Sequence, residues 1–242
     1  MVNEAVLTAD GSCTLNSQRY GETYHSTFGA LTEARHVFLN ATGVSNRLEQ
    51  GLPTRILEIG FGLGLNALLT ADLARQSGTP LVFHSFEHDL VTPETIMNLG
   101  YASLMSDRKV FDALLQGVKQ MHKRREYSAH NSITHRFPLA DNIQLVIHLE
   151  DATRANLQTL GDNDFHAIYL DAFSPDTNAE CWNPAFIDTL AGVLSLDGSM
   201  STYSAKGDVR RAMLAANLIV KKLPGPPGKR EMLVGQHRSD KN

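Results

Sequence analysis

Short apolar runs alternate with amphipathic stretches from residue 55 onwards, a pattern typical of strands and helices that follow one another along a chain. Strands are predicted at residues 56–59, 81–87, 143–149, 167–170 and 199–204, with a final pair at 218–222 and 231–235. Helices are predicted at residues 65–75, 153–160, 184–194 and 208–216. The unbroken apolar run at 167–170 is typical of a central parallel strand that is covered on both faces. This order predicts an α/β fold with a doubly wound, mostly parallel sheet of the Rossmann-like type.

Two segments fall outside this alternation. Residues 1–50 are polar and aromatic, and they predict a hairpin or loop followed by a short amphipathic helix near 33–39. The stretch 92–142 is polar and helix-prone, and it is long for a single crossover between strands. We therefore predict an N-terminal extension over residues 1–50 that packs on the core, and a main domain over residues 51–238 with an inserted helical segment at about 92–142.

The composition is that of an ordinary globular protein, with 42% hydrophobic and 20% charged residues. No run approaches the roughly 18 apolar residues that span a bilayer, and the first residues lack the order of a secretory signal. We therefore expect a cytoplasmic protein without a membrane partner. Cys13 and Cys181 lie far apart and have no ligand motif around them, so neither a disulfide framework nor a metal site is expected.

Charge is distributed unevenly along the chain. The formal net charge is -4, yet residues 203–242 carry nine lysines and arginines against three acidic residues. A second basic cluster lies at 119–125. Local basic surfaces can steer a polyanion towards a protein, although a solvated face is the simpler interpretation of charge alone.

A glycine-rich turn joins the first predicted strand of the main domain to the first helix. Gly60, Gly62 and Gly64 lie where missing Cβ atoms allow a ligand to approach the backbone and the free N–H groups of a helix. Their spacing differs from that of most dinucleotide-binding turns, and Glu58 precedes them. This combination favours S-adenosylmethionine over NAD as the ligand. A tight turn without a ligand is the alternative.

Carboxylates end the next two strands. Glu87 follows the glycines by about twenty residues, the position from which an acidic side chain accepts hydrogen bonds from ribose hydroxyls. Asp151 follows the third strand, where a carboxylate can accept from an adenine amino group. A helix N-cap is an equally good interpretation of Asp151, because aspartate is favoured at that position.

Asp171 begins a loop of sequence DAFSP at the carboxyl edge of the predicted sheet, where open α/β folds bind their substrates. This loop resembles the Asp-Pro-Pro-aromatic loop of methyltransferases that act on amino groups. A carboxylate there can orient an amine nucleophile towards a methyl donor and take up its proton. The alternative is a turn capped by Asp171 and stiffened by Pro175.

Five motifs together resemble the MnmC-type family that methylates 5-aminomethyl-2-thiouridine at the tRNA wobble position. They are YHSTFGA at 24–30, LEIGFGLGLN at 57–66, DAFSP at 171–175, TYSAKGDVRR at 202–211 and PGPPGKREM at 224–232. The match runs from about residue 10 to residue 235, and the last two motifs are more specific than the glycine turn. The resemblance implies a class I S-adenosylmethionine-dependent methyltransferase, here as a stand-alone domain without the flavin-dependent oxidase half of the bifunctional relatives.

The family resemblance also implies residue roles. Glu58, Gly60, Gly62, Gly64, Asn66, Glu87 and Asp151 would bind the cofactor. Asp171 would be catalytic and hold the substrate amine. The tRNA anticodon loop would be bound by Tyr24, Phe173, Ser174, Tyr203, Lys206, Arg210, Lys229 and Arg230. Unpaired bases of such a loop can stack on aromatic side chains.

The sequence departs from the family pattern at several positions. Asp176 stands where a lysine is common, and Glu150 replaces a usual glycine. The loss of a positive charge at Asp176 puts RNA contact beside the substrate loop in doubt. Two other functions stay open: an enzyme of the same fold that acts on a small amine or polyamine, and a non-catalytic tRNA-binding relative.

Overall fold

The computed structural model describes residues 5–127, 132–160 and 165–237. Arg238, Asp240 and Lys241 of the basic tail lie outside these residues. The strands are β1 (Ala5–Leu7), β2 (Cys13–Leu15), β3 (Thr54–Ile59), β4 (Leu81–Glu87), β5 (Ile133–Ala140), β6 (Ile143–Leu149), β7 (Phe165–Leu170), β8 (Leu194–Thr202), β9 (Leu218–Pro224) and β10 (Glu231–His237). The helices are α1 (Ala30–Glu33), continued by a π-helix (Ala34–Asn40), α2 (Val44–Glu49), α3 (Leu65–Ser77), α4 (Pro93–Met97), α5 (Arg108–Tyr127), α6 (Pro184–Val193) and α7 (Gly207–Ala215). Short 3₁₀ turns lie at Tyr101–Leu104, Leu157–Thr159 and Ala179–Trp182.

One eight-stranded sheet forms the centre, in the order β5-β6-β4-β3-β7-β8-β10-β9. The five strands from β6 to β8 are parallel, whereas β5 and the β9–β10 hairpin are antiparallel additions at the two edges. The predicted doubly wound, mostly parallel fold is therefore confirmed. The strand order reverses on either side of β3, and ligands of such folds bind at the carboxyl ends of the strands at this point.

Apolar side chains cover both faces of the parallel strands, as their unbroken sequence runs predict. Tyr169 of β7 is fully buried, and its ring packs against Phe38 at 5.2 Å and Phe83 at 5.8 Å between ring centroids. Aromatic pairs at such distances contribute about 0.5–1.5 kcal/mol each beyond the burial of their area. This core fixes the ends of β3, β4 and β7, from which the side chains of the site extend.

Two of the predicted helical segments differ from the structure. The helix predicted at 153–160 is wrong, because only the 3₁₀ turn at Leu157–Thr159 forms there. The side chains of Asp151 and Asn156 accept hydrogen bonds from backbone N–H groups two residues onwards, and such local bonds compete with the helix ladder. In the segment 92–142, α4 and α5 are helical as predicted, but β5 pairs with β6 as an edge strand.

The N-terminal residues lie over the carboxyl end of the sheet and reach the loop after β7. The Glu22 carboxylate accepts hydrogen bonds from the Ser174 hydroxyl at 2.5 Å, the Ser174 backbone N–H at 3.1 Å and the Thr177 hydroxyl at 2.6 Å. Tyr101 donates to the Cys13 carbonyl oxygen and ties β2 to the main domain. The division at residue 50 stays a prediction.

Candidate active site

A cavity of about 620 Å³ lies at the carboxyl ends of β3, β4 and β7, where the strand order reverses. Its volume is within the range of sites for small molecules and cofactors. The wall contains ten of the sequence-predicted residues, namely Tyr24, Gly60, Gly62, Glu87, Asp151, Asp171, Phe173, Ser174, Tyr203 and Lys229. The described residues of this wall do not include the other six, which are Glu58, Gly64, Asn66, Lys206, Arg210 and Arg230.

The glycine turn forms one side of the cavity. The N–H groups of Gly60 and Phe61 both donate to the Phe86 carbonyl oxygen, at 3.0 and 3.1 Å, which holds the turn against β4. Gly60 and Gly62 have φ values of 97° and 53°, a region that side chains disfavour. A Cβ at residue 60 would also lie 2.6 Å from the Asp171 carbonyl oxygen. Only glycine therefore allows the turn to pass this close to the loop after β7.

Glu87 is fixed beside this turn by backbone donors. Its Oε2 accepts from the Gly62 N–H at 2.9 Å, and its Oε1 accepts from the N–H groups of His88 and Asp89, both at 2.8 Å. Burial raises the pKa of Glu87, while these three hydrogen bonds oppose the rise. Since each carboxylate oxygen has two acceptor sites, Oε2 can accept a further hydroxyl donor from the cavity.

Asp151 follows β6 and lies in the cavity wall. Its Oδ1 accepts from the backbone N–H and the hydroxyl of Thr153, at 2.9 and 2.7 Å. Asp151 therefore has a capping role, as the alternative interpretation of the sequence predicted, but it caps a turn rather than a helix. Its side chain is also in the cavity wall, so capping does not remove it from the reach of a ligand.

Asp171 directly follows β7 and lies next to the glycine turn. Its Oδ2 accepts from the Asn66 Nδ2 at 2.8 Å. Burial, followed by the negative charge of Glu33, raises the pKa of Asp171 well above its ordinary value, and Glu58 adds to this rise when it is ionised. Such a carboxylate takes up a proton more readily than a solvated aspartate, which suits a group that accepts a proton from a substrate.

Glu58 and Asn66 lie behind the wall and support Asp171. Glu58 is fully buried on β3, and its Oε2 accepts from the hydroxyl of Ser85, its partner in the β3–β4 register, at 2.6 Å. Burial raises the pKa of Glu58 to about 8. The buried Oε1 of Glu58 and Oδ1 of Asn66 have no hydrogen-bond partner among the described residues.

The loop after β7 is held from three sides. The Tyr203 hydroxyl donates to the Ala172 carbonyl oxygen at 2.8 Å, and the Trp182 Nε1 donates to the Phe173 carbonyl oxygen at 2.8 Å. Glu22 binds Ser174 as described above. The position of the Asp171 loop therefore depends on the N-terminal residues as well as on β8.

Aromatic rings form the outer side of the cavity. Phe173 stacks on Tyr20 at 4.2 Å between centroids and meets Tyr24 edge-on at 5.1 Å. Tyr20 and Glu22 were not predicted as site residues, because the polar pattern of the N-terminal segment does not indicate what it contacts. Their proximity in sequence to Tyr24 is the only signal that could have found them.

Lys229 reaches into the cavity wall from the loop between β9 and β10. Its Nζ lies 2.6 Å from the Glu33 Oε2 and 3.9 Å from the centroid of the Tyr203 ring. Glu33, another residue that the sequence did not indicate, also accepts from the Ser26 N–H at 3.0 Å. The ammonium group of Lys229 thus has two partners inside the protein.

The other basic residues predicted for RNA contact lie outside the wall. Arg210 and Arg230 are exposed. Lys206 forms an ion pair with Asp176, the residue that departs from the family pattern. Within the described ranges, no helix has the length and apolar character to cross a membrane. The same ranges bring together no group of three His, Cys, Asp or Glu side chains that could hold a metal ion.

The doubly wound sheet, the glycine turn and the acidic side chains after β4 and β6 define an α/β protein that binds a nucleotide-like cofactor. The sequence model of a family described as S-adenosyl-L-methionine-dependent methyltransferase matches residues 116–238, about half of the chain. The chain belongs to this family, and its cofactor is S-adenosylmethionine.

Curated relatives and a solved structure are similar to most of the chain. A tRNA 5-methylaminomethyl-2-thiouridine biosynthesis bifunctional protein MnmC of Cupriavidus metallidurans is 31% identical over 96% of this chain and 34% of its own length. The protein of that name in Aromatoleum aromaticum is 32% identical over 96% of this chain and 35% of its own length. The chain thus spans about a third of these relatives. The crystal structure of MNMC2 from Aquifex aeolicus covers 97% of this chain and 70% of its own, with a TM-score of 0.72 and 24% identity, and it shares the fold.

The cavity fits S-adenosylmethionine on its own geometry. Gly60 and Gly62 line the cavity, and a Cβ at residue 62 would lie 3.1 Å from the Tyr24 ring. Glu87 offers acceptor oxygens beside the glycine turn, and Asp151 is another carboxylate of the same wall. A ribose with two hydroxyls and an adenine with an amino group are the donors that these carboxylates can bind.

Proposed function

We propose that this methyltransferase acts on the exocyclic amine of 5-aminomethyl-(2-thio)uridine at the tRNA wobble position and gives the 5-methylaminomethyl base. The observation that carries the proposal is Asp171, a carboxylate of raised pKa at the junction of the glycine turn and the aromatic wall. The names of the relatives support the choice of substrate. An amine held by Asp171 would lie between the cofactor side and the base-binding side of one cavity.

S-adenosylmethionine, when bound, supplies an electrophilic methyl group on a sulfonium. The substrate amine is an ammonium ion in neutral water, and it must lose a proton before its nitrogen can attack. Asp171 orients this group and accepts the proton, while Asn66 holds the carboxylate in place. After transfer, the product nitrogen would be a secondary ammonium, and Asp171 would return the proton that it accepted to solvent.

The cofactor residues take different parts in this proposal. Gly60 and Gly62 provide the open backbone, Glu87 binds the ribose and Asp151 the adenine. Glu58, Gly64 and Asn66 act from behind the wall by shaping the turn and fixing Asp171. We propose these indirect roles because Glu58 and Asn66 are buried and bonded to protein groups.

The RNA side would combine aromatic and basic groups. Tyr24, Phe173, Ser174 and Tyr203 would surround the target base, and Arg210 and Arg230 would contact phosphates. Lys206 and Lys229 would contribute once their ion pairs with Asp176 and Glu33 open. A tRNA substrate also favours a cytoplasmic location.

The proposed function is tested with tRNA from a strain that lacks this methylation. The protein and S-adenosylmethionine are added, and wobble nucleosides are analysed by mass spectrometry. We expect a mass increase of one methyl group on the 5-aminomethyl nucleoside. Methylation of polyamines with untouched tRNA would overturn the proposed substrate, and cofactor binding without transfer to either would indicate a non-catalytic relative.

Neutralising Asp176 is expected to strengthen tRNA binding. Asp176→Asn removes a negative charge beside the substrate loop and frees Lys206, and exposed pairs of this kind are worth about 0.2–1 kcal/mol. We expect roughly two- to fivefold tighter binding at low salt. One added phosphate contact should also steepen the slope of log K against log salt by about one.

The matched control for this prediction is Asp188→Asn, an equal charge change at an exposed position on α6. Fluorescence anisotropy with labelled tRNA over a salt series measures both variants. Equal affinities of Asp176→Asn and Asp188→Asn would exclude a specific effect of the Asp176–Lys206 pair.

A further inference from the structure

Phe28 is an exposed aromatic residue in the outer wall of the cavity. It is 57% exposed and lies in the wall together with Gly228 and Lys229. The aromatic rings inside the cavity, by contrast, pack on one another around Phe173. Exposure of the phenylalanine ring to water costs hydrophobic free energy. A ligand that covers the ring at the edge of the site would remove this cost.

The ring of Phe28 is held in place although it is exposed. A Cβ at residue 228 would lie 2.2 Å from the Phe28 Cδ2, so the ring rests directly on the backbone of Gly228. The Gly228 φ of 84° is a conformation that other residues rarely adopt. The loop carrying Gly228 is closed by hydrogen bonds from Gly225 N–H to the Arg230 carbonyl at 3.1 Å and from Lys229 N–H to the Pro226 carbonyl at 2.9 Å. A ring fixed in this way loses little entropy when a flat ligand stacks on it.

The surroundings of Phe28 are polar rather than apolar, and the cavity wall holds both acidic and basic side chains. Ser26 and Thr27 precede Phe28 in the sequence. Lys229 and the exposed Arg230 follow Gly228, on which the ring rests, and the exposed Arg19 lies elsewhere in the same wall. Protein and lipid contacts require a contiguous apolar patch of several hundred Å². A single exposed aromatic ring is instead typical of sites for single-stranded nucleic acid, in which bases stack on rings while phosphates lie near cations such as the exposed Arg19 and Arg230.

We infer that Phe28 is a stacking site for an unpaired nucleobase that neighbours the methylated nucleotide in the same RNA strand. This inference rests on the proposed function, since it requires an RNA substrate. It extends that function by a second base-binding position, at the exposed rim of the cavity that takes the target base. Phe28 thereby selects an RNA loop over an isolated nucleoside.

The test compares two substrates and four proteins. The substrates are an anticodon stem-loop that carries 5-aminomethyluridine and the single 5-aminomethyluridine nucleoside. The proteins are the wild type, Phe28→Ala, Phe28→Trp and the control Met97→Ala, which changes an apolar residue of similar exposure, 55%, on α4 away from the cavity wall. Since one base–aromatic stack contributes a factor of about 10 to 100 in affinity, Phe28→Ala should raise the stem-loop KM by roughly that factor. Phe28→Trp should restore it, and Met97→Ala should leave it unchanged.

The nucleoside separates stacking of a neighbouring base from a general defect. Its kcat/KM, and the Kd for S-adenosylmethionine measured by calorimetry, should be the same in Phe28→Ala as in the wild type. The inference would be overturned if Phe28→Ala and Met97→Ala had the same KM for the stem-loop. It would also be overturned if Phe28→Ala lost kcat/KM equally on the stem-loop and on the nucleoside. Methylation of neither substrate by the wild type would instead contradict the proposed function.

Discussion

Replacing Asp171 by asparagine should lower the single-turnover rate of methyl transfer by a factor of about 10² to 10⁴, the usual contribution of a positioned proton acceptor. Asparagine keeps the size of the side chain but cannot accept a proton from the substrate ammonium. The Kd for S-adenosylmethionine should stay within about twofold of the wild-type value, because the glycine turn and Glu87 have hydrogen bonds of their own. Rapid-quench assays at saturating tRNA and cofactor measure the rate.

The wild-type pH profile provides a second measure of the same group. Because burial and the neighbouring carboxylates raise the pKa of Asp171, its proton-accepting form is lost as the pH falls through a value above the ordinary aspartate range. The single-turnover rate should decline over that window in the wild type but not in Asp171→Asn.

Asp188→Asn serves as the control for charge, since Asp188 is exposed on α6, and its rate should equal the wild-type rate. An Asp171→Asn rate within threefold of wild type would mean that Asp171 neither orients the amine nor accepts its proton.

The central strands could be predicted from sequence because their side chains are buried on both faces, which leaves unbroken apolar runs. The predicted bounds at 81–87 and 143–149 are those of β4 and β6. The edge strand β5 could not be recognised in the same way. Its residues alternate between partly buried and exposed positions, and its pairing with β6 is a tertiary contact. The polar composition of the surrounding segment instead favoured a helix.

The cavity was predictable where it depends on strand ends and not where it depends on the N-terminal segment. Gly60, Glu87 and Asp171 each follow a recognisable strand, and parallel strands bring such positions to one edge. Tyr20, Glu22, Glu33 and Phe28 reach the same cavity only through folding of the N-terminal residues over it. No periodic pattern encodes that contact.

Glu58 illustrates a second limit of sequence reasoning. Its place before the glycines suggests contact with the cofactor. The side chain is instead fully buried behind the cavity wall and accepts a hydrogen bond from Ser85 of β4. Which face of β3 it occupies depends on the register with β4, where Ser85 is its partner. The position of the glycine turn alone does not reveal this.

The free energy of unfolding should therefore depend on pH through Glu58. Burial raises the pKa of Glu58 from 4.5 to about 8 in the folded protein, whereas the unfolded chain has the ordinary value. The neutral acid is thus favoured by folding, and its stabilising contribution is complete below pH 4.5 and lost as the pH rises through about 8. Since each pKa unit corresponds to about 1.4 kcal/mol, the change is on the order of 5 kcal/mol.

Glu58→Gln should remove this dependence, because glutamine is neutral at every pH and can still accept from Ser85. Urea unfolding at about pH 5, 7 and 9 gives the difference in unfolding free energy between the variant and the wild type. As the pH rises, the free energy of unfolding of Glu58→Gln should increase relative to that of the wild type. Other buried carboxyls, Asp171 and Glu87 among them, titrate in both proteins, so the difference contains Glu58 and its charge coupling to these neighbours.

The control for Glu58 is Glu49→Gln, the same substitution at an exposed position on α2, for which the difference should not vary with pH. A pH-independent difference for Glu58→Gln as well would show that Glu58 is ionised in the folded protein. In that case the Glu58 carboxylate is charged throughout the measured pH range. Its negative charge would then contribute to the raised pKa of Asp171 over that whole range.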